Sequence, residues 1–371
     1  MINEKRVLEE FLELVQIRCS TKDEREVADL LTQRLQDLGG TVREDNAGEK
    51  IGGNTGNLVA DFPGTAEAPT LMLTAHMDCV EPCTGVKPIV QDGIIRSDGT
   101  TILGGDDKAG VVAILETLRQ LKERHLPHGP LQVVFTVAEE NGVHGSQNLD
   151  QSLLHADFGF TFDTHNHPGG ITFMAPGKNQ IRIHVEGKAS HAGVNPEDGI
   201  NAICAAGRLI ATAPQGRIDE ESTCNLGRIV GGSATNIVAD SCDIFYESRS
   251  RDKEKLERLT KEICEHFTNG AQATGCKITA KVSPDYGPYL LEKDCPAIRT
   301  AARAAEKLGL PVTLEESGGG SDANHFNTYG IPTAVLAVGM EKAHTKEEYL
   351  EEKDLYDAAR WALAIVQEAA R

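Results

Sequence analysis

Val7, Phe11, Leu12 and Val15 recur at helical spacing, and Val27, Leu30, Leu31, Leu35 and Leu38 repeat the pattern before Gly39-Gly40 ends it. Two amphipathic helices are therefore expected to open the chain. Apolar runs of strand length follow at 57–61, 70–74, 131–137 and 158–162, with a helical stretch over about 107–122 between the second and third. Strands alternating with helices predict an α/β fold in which a largely parallel sheet is covered by helices.

From about Asn179 the pattern changes to a strand (180–185), a helix (199–212), two strands (224–230 and 237–248), a helix (253–268) and a strand (277–282). That βαββαβ order is ferredoxin-like. It begins after Pro176-Gly177 and ends near Pro284-Asp285-Tyr286-Gly287-Pro288, compositions suited to hinges. The α/β pattern then resumes with a helix at 296–307, a strand at 312–315, a short helix after Ser321, a strand at 333–338 and a final helix from Lys346. The expected organisation is a discontinuous domain, 1–177 with 289–371, interrupted by a compact inserted domain, 178–288.

At 40% hydrophobic and 25% charged, the 371 residues can bury a core, which excludes wholesale disorder. The net charge of −19, from 37 Lys and Arg against 56 Asp and Glu, argues against nucleic acid as a partner, because phosphate affinity comes from Lys and Arg. No apolar run approaches the ~18 residues of a membrane span, and acidic residues among the first ten positions interrupt any signal sequence. No membrane partner and a cytoplasmic location are the expectations. Nine cysteines, an odd number scattered singly, read as reduced thiols. Cys79 and Cys83 have no second cysteine pair nearby and read as core or loop thiols rather than a zinc knuckle.

Metal-capable residues gather where the apolar strands end, the place where open α/β sheets bind ligands. Leu71–Ala75 runs into His76-Met77-Asp78, whose first and third residues project to one side of an extended chain, so Asp78 could orient the imidazole. Leu103-Gly104-Gly105-Asp106-Asp107 places two carboxylates at a helix start, where capping is the ordinary explanation. The 131–138 strand ends in Glu139-Glu140, and Phe158–Phe162 ends in Asp163-Thr164-His165-Asn166-His167, whose histidines could equally be loop surface. His344 follows the 333–338 strand, where a lone loop histidine is commonly just solvated. Taken singly these signals are weak. Together they converge several carboxylates without a matching excess of Arg or Lys, for which divalent metal is the natural counter-charge. Two ions about 3.5–4 Å apart, sharing one carboxylate and activating a water, would suit such a set.

The series His76-Met77-Asp78, Gly105-Asp106-Asp107-Lys108-Ala109-Gly110, Ala138-Glu139-Glu140-Asn141-Gly142, Asp163 and Ala343-His344-Thr345 resembles the two-zinc exopeptidase family of aminoacylases, glutamate carboxypeptidases and peptidase T, in order and spacing over nearly the whole chain. The resemblance implies two Zn²⁺ per subunit, with Co²⁺ or Mn²⁺ also able to occupy such ligands. It implies Asp106 bridging the ions, His76 and Asp163 completing one, and Glu140 and His344 the other. Asp78 would orient His76, and Glu139 would be the general base. A cis peptide at Asp106–Asp107 and a homodimer formed through the inserted domain are further family expectations.

By the same resemblance, His191 would be an electrophile for the scissile carbonyl, Asn236 a polar contact and Arg249 a clamp for a substrate carboxylate. The bland readings are a turn histidine, a strand-opening asparagine and an ion-pairing arginine. Gly319 and Gly320 belong to a glycine-rich loop similar to one lining the family's pocket. The Ala-His-Met-Asp, Leu-Gly-Gly-Asp-Asp-Lys-Ala-Gly and Glu-Glu-Asn-Gly strings are closest to the peptidase T branch, implying a small peptide substrate and tripeptide aminopeptidase activity. Ser190-His191-Ala192-Gly193-Val194-Asn195-Pro196-Glu197 is more like the acyl-amino-acid and carbamoyl hydrolase branches. The alternatives are thus an N-acyl- or N-carbamoyl-amino-acid amidohydrolase or dipeptidase and, remotely, a non-catalytic metal-binding oligomer.

Overall fold

A computed structural model describes residues 2–371. The chain divides into two compact units: one runs to Met174 and resumes at Leu290–Arg371, and the other is Ala175–Tyr289.

The first unit is built on a central sheet in which strands Leu131–Thr136, Leu71–His76, Phe158–Thr164 and Thr333–Ala337 lie side by side and parallel. Thr41–Glu44 and Leu58–Phe62 extend one side antiparallel, and Gly170–Ala175 lies antiparallel beyond Thr333–Ala337. The central strands are buried along nearly their whole length, as parallel strands covered on both faces must be. Phe135, Phe160, Phe162 and Trp361 form part of the core with no more than a trace of exposure. Register places His76 opposite Thr136, so the carboxyl ends of these strands open on the same side.

The helix Gly105–Glu123 runs through this core and buries most of its residues. Beyond its opening Asp106-Asp107 pair it does so with charge aboard where partners are supplied. Glu116, wholly buried, accepts the Asn3 N–H (2.8 Å), the Arg6 Nε–H (2.8 Å) and the Gln120 amide (2.8 Å). Lys108, also wholly buried, donates to the Met77 carbonyl (2.6 Å) and lies 3.3 Å from Cys79 Sγ.

The second unit is an antiparallel sheet in which Ser222–Gly231, Ser241–Ser250, Gly177–Glu186 and Lys277–Tyr286 follow one another, backed by the helices Ala202–Ile210 and Lys253–Asn269. The spatial order of these four strands is that of a ferredoxin-like βαββαβ unit, as the sequence pattern predicts. Its core holds Ile181, Ile183, Val185, Ile244, Ile263 and Phe267.

One expectation is corrected. The final helix spans Glu352–Ala369 rather than starting at Lys346. Tyr349–Glu351 instead pairs with Ile94–Arg96 in a small four-stranded sheet, with Leu350 opposite Ile95 and both completely buried. Lys-Glu-Glu-Tyr-Leu-Glu favours a helix locally, and burial of Leu350 against a distant strand overrides that preference. All nine cysteines are free; Cys79 and Cys83 are buried thiols.

Candidate metal centre

The central strands deliver their terminal residues to one place. His76 is the last residue of its strand and almost fully buried. Its Nε2 lies 2.9 Å from Asp106 Oδ1 and 3.9 Å from Asp163 Oδ1. The Gly105–Glu123 helix starts irregularly here: Asp106 and Asp107 have non-helical backbone angles, and the peptide bond between them is cis. The other Asp106 oxygen, Oδ2, sits 3.2 Å from His344 Nε2, which is itself 2.8 Å from Glu140 Oε2. Asp106 thus stands between the two imidazoles; Asp163 approaches His76, and Glu140 approaches His344 while also lying within reach of His76.

Two ligand-like groupings result, His76 with Asp106 and Glu140, and His76 with Asp107 and Asp163; within each, the donor atoms lie within 4.8 Å of one another. Asp107 enters the second grouping, although it already accepts the His76 N–H (3.2 Å) and the Gly110 N–H (3.1 Å).

Asp78 does more than face the imidazole. Its Oδ1 lies 3.4 Å from His76 Nδ1, and the same oxygen accepts the Glu139 N–H at 2.9 Å. Its Oδ2 accepts the Thr21 hydroxyl (2.7 Å) and the Glu140 N–H (3.3 Å). Asp78 thus holds His76 mainly through its main-chain carbonyl, 3.1 Å from Nδ1, while its wholly buried carboxylate fixes the Glu139-Glu140 backbone. Glu24, also buried, accepts the N–H of Ala138 (3.0 Å), a residue held at φ 48° just before the acidic pair. Burial, with Asp78 nearby, raises the Glu24 carboxyl to about 7. Asp322 accepts hydroxyls from Ser146 (2.5 Å) and Thr136. Thr21, Glu24, Ser146 and Asp322 have no local sequence signal pointing to the site.

The electrostatics are those of a buried carboxylate cluster with few cationic partners. Burial raises the carboxyls of Glu139 and Asp163 well above their usual range, with Asp163 adding to the first and Asp106 to the second. Glu140 is raised by burial and by Asp106. Asp106 alone among these goes the other way: burial opposes its ionisation, but His344 and His76 hold it well below the carboxylate range. The same contacts with Asp106 and Glu140 raise His344 to about 10. Five acids (Asp106, Asp107, Glu139, Glu140 and Asp163) thus share two imidazoles, while the buried ammonium of Lys108 is spent on Met77 and Cys79. Glu140 Oε1 is buried without a hydrogen-bond partner. An orphaned carboxylate oxygen amid mutually destabilised acids and imidazoles fits divalent cations.

The remaining candidates lie elsewhere. Gly319 and Gly320 precede the Asp322–Thr328 helix in the first unit; the Gly319 N–H is bonded to Ser317 Oγ (3.0 Å). His191, Asn236 and Arg249 belong to the second unit. His191 and Asn236 are brought together there: residue 191 pairs with Ile237 and the Ala192 N–H donates to the Asn236 carbonyl. Arg249, half-buried, is a partner of Glu247 (2.9 Å), the ion-pairing arrangement the bland reading anticipates. His167 bonds Asp354 (2.7 Å) rather than joining the cluster.

Residues 72–368 match Peptidase family M20/M25/M40. The chain belongs to this family, and it is a metallopeptidase. Among solved structures it is similar to a tripeptidase from Staphylococcus aureus, with TM-score 0.95 and 42% identity over 100% of both chains. It is also similar to the aminopeptidase PepT from Bacillus cereus, with TM-score 0.91 and 42% identity over 100% of both chains. Among curated proteins, Peptidase T of Alkaliphilus oremlandii is 26% identical, covering 94% of this chain and 93% of its own.

Proposed function

We propose that this protein is a dinuclear zinc aminopeptidase that releases the N-terminal residue of tripeptides. The observation that carries the chemistry is Asp106 standing between two histidines, each backed by a further carboxylate. The likeness over full length to a tripeptidase supports the substrate class.

In this reading His76, Asp106 and Asp163 would hold one ion and Asp106, Glu140 and His344 the other, with Zn²⁺ the proposed metal and Co²⁺ or Mn²⁺ the substitutes the same donors would accept. Bound divalent cations supply Lewis-acid charge at the scissile carbonyl and make water a stronger acid. Glu139, like His344, falls in neither ligand grouping; its backbone is fixed by Asp78, and its buried carboxyl is raised by burial and by the neighbouring Asp163. Its carboxylate takes the proton of the attacking water and returns it to the leaving amine nitrogen. Asp78 orients the imidazole of His76. His191 and Asn236 polarise and bind the substrate carbonyl, Arg249 exchanges Glu247 for the substrate's terminal carboxylate, and the amides around Gly319 and Gly320 meet the peptide main chain.

The inserted unit, 178–288 in this proposal, acts as lid and as the contact of a homodimer. Strand Ser222–Gly231 supports the dimer contact. Beyond Cys224 its outer side has no strand partner, and Ile229 and Val230 on it are 46% and 47% exposed. No described helix is long and apolar enough to cross a membrane, in keeping with the proposed cytoplasmic location.

A substrate panel tests the reading: metal-replete protein is offered tripeptides, dipeptides and N-acyl or N-carbamoyl amino acids, with and without chelator. Chelator-sensitive release of the first residue from tripeptides is expected. Cleavage of acyl or carbamoyl compounds alone would replace the proposal with an amidohydrolase, and silence across the panel would leave a non-catalytic protein.

A further inference from the structure

Glu348 takes no part in the proposed chemistry, yet it is 1% exposed in a chain whose other glutamates lie mostly at the surface. Both of its oxygens point at one stretch of backbone. Oε2 accepts the N–H groups of Leu103 (2.9 Å) and Gly104 (2.8 Å), and Oε1 accepts that of Asp106 (3.1 Å). The fit is close: a Cβ added at Gly105 would stand 3.0 Å from Oε1. At its other end Glu348 belongs to the turn that carries His344, its own N–H bonded to the Thr345 carbonyl.

We infer that Glu348 is a positioning residue of the metal centre: its buried carboxylate locks the Leu103–Asp106 backbone to the His344 turn, and so sets how tightly Asp106 and His344 together hold a divalent cation. The inference rests on the proposed ligand roles of those two residues. Three donors converge on two oxygens from one direction, which is more than capping the Gly105–Glu123 helix requires, and the cap arrives from a segment more than 240 positions away. Asp106 and His344 lie 3.2 Å apart across this tie. A ligand pair contributed by two segments keeps its spacing only if the segments are fixed to each other, which is the work of groups one bond removed from a metal. Glu348 touches neither the donor atoms of the two grouped sets nor any place proposed for peptide, so its effect falls on metal affinity and not on substrate affinity.

The test uses full-length wild-type protein, Glu348→Gln, Glu348→Asp and the exposed neighbour Glu347→Gln as control. Each is stripped of metal and titrated with Co²⁺ in a competing chelator, followed by the visible absorption of the bound ion, with apo-protein melting recorded in parallel. Glu348→Gln keeps the shape but replaces one acceptor oxygen by an amide NH2 that faces a backbone N–H. It is expected to weaken Co²⁺ binding by about 10–100-fold and change the cobalt spectrum, with KM for peptide unaltered once metal is saturating. Glu348→Asp, which keeps the charge, is expected to recover part of the loss, and Glu347→Gln to match wild type. A lowered apo melting temperature with unchanged Co²⁺ affinity and spectrum would reduce Glu348 to a helix cap and overturn the inference. Should Glu348→Gln not fold, wild-type affinity and spectrum in Glu348→Asp would overturn it equally. Failure of the wild-type protein itself to bind Co²⁺ would instead overturn the ligand assignment beneath it.

Discussion

At the scale of single residues, the donors and the residues that hold them were legible to very different degrees. His76, Glu140 and Asp163 stand at the ends of apolar strands and His344 follows one, which marks them as candidates, whereas Asp106 opens a helix where capping is the ordinary reading; the ligand roles of all five come from the resemblance to the two-zinc exopeptidase family. The groups that hold them carry no such mark. Thr21 reaches Asp78 across 57 positions and Thr136 reaches Asp322 across 186, and neither threonine differs from its neighbours until the chain is folded. The sequence points to Asp78 as a partner of His76, which it is, but most of its carboxylate's hydrogen bonds serve the Glu139-Glu140 backbone and Thr21. Asp78→Asn keeps the volume but turns one acceptor oxygen into a donor facing N–H or O–H groups. It is expected to lower metal affinity or turnover about 10–100-fold, measured by chelator competition and steady-state kinetics. Activity and affinity both equal to wild type would deny Asp78 a positioning role.

At the scale of elements, the strands of the parallel sheet and the βαββαβ order were readable because burial on both faces leaves long apolar runs and the inserted unit keeps clean alternation. The small sheet that includes Tyr349–Glu351 was not, since its strands are only two or three residues long and their pairing is non-local. The Gly105–Glu123 helix shows how closely an element can be fitted to its neighbours. A Cβ on Gly110 would lie 2.5 Å from the Phe162 carbonyl oxygen and 2.5 Å from Asp107 Oδ1. Backbone on one side and a wholly buried carboxylate on the other leave no room to yield. Gly110→Ala is expected to destabilise the protein by about 1–3 kcal/mol in urea denaturation; a wild-type midpoint and slope would mean that the helix can shift freely against the Phe158–Thr164 strand that carries Asp163.

At the scale of the whole molecule, the net charge of −19 and the metal site express related physics: acids left without basic partners. The buried portion of that excess is the cluster around Asp106, and bound cations would stabilise the native state in proportion to their concentration over Kd. Chelation is therefore expected to lower the melting temperature of the wild-type protein, and Zn²⁺ to restore it. An identical melt in chelator and in zinc would mean that the cluster tolerates its own repulsion. Self-association has a separate test in the uncovered edge of Ser222–Gly231. Ile229→Lys, placing a charge at an exposed position, is expected to convert dimer to monomer in light scattering, and a wild-type particle already monomeric would remove the dimer from the account.

The most direct measurement is metal content and tripeptide turnover on the same preparations of wild type and Glu139→Gln. The account predicts two ions per chain in both proteins and a loss of about 10²–10⁴-fold in kcat for the variant, because the ligands survive and the proton carrier does not. Near-normal turnover in Glu139→Gln, or the loss of bound metal along with activity, would contradict the assignment of Glu139 as the base standing beside a two-metal site.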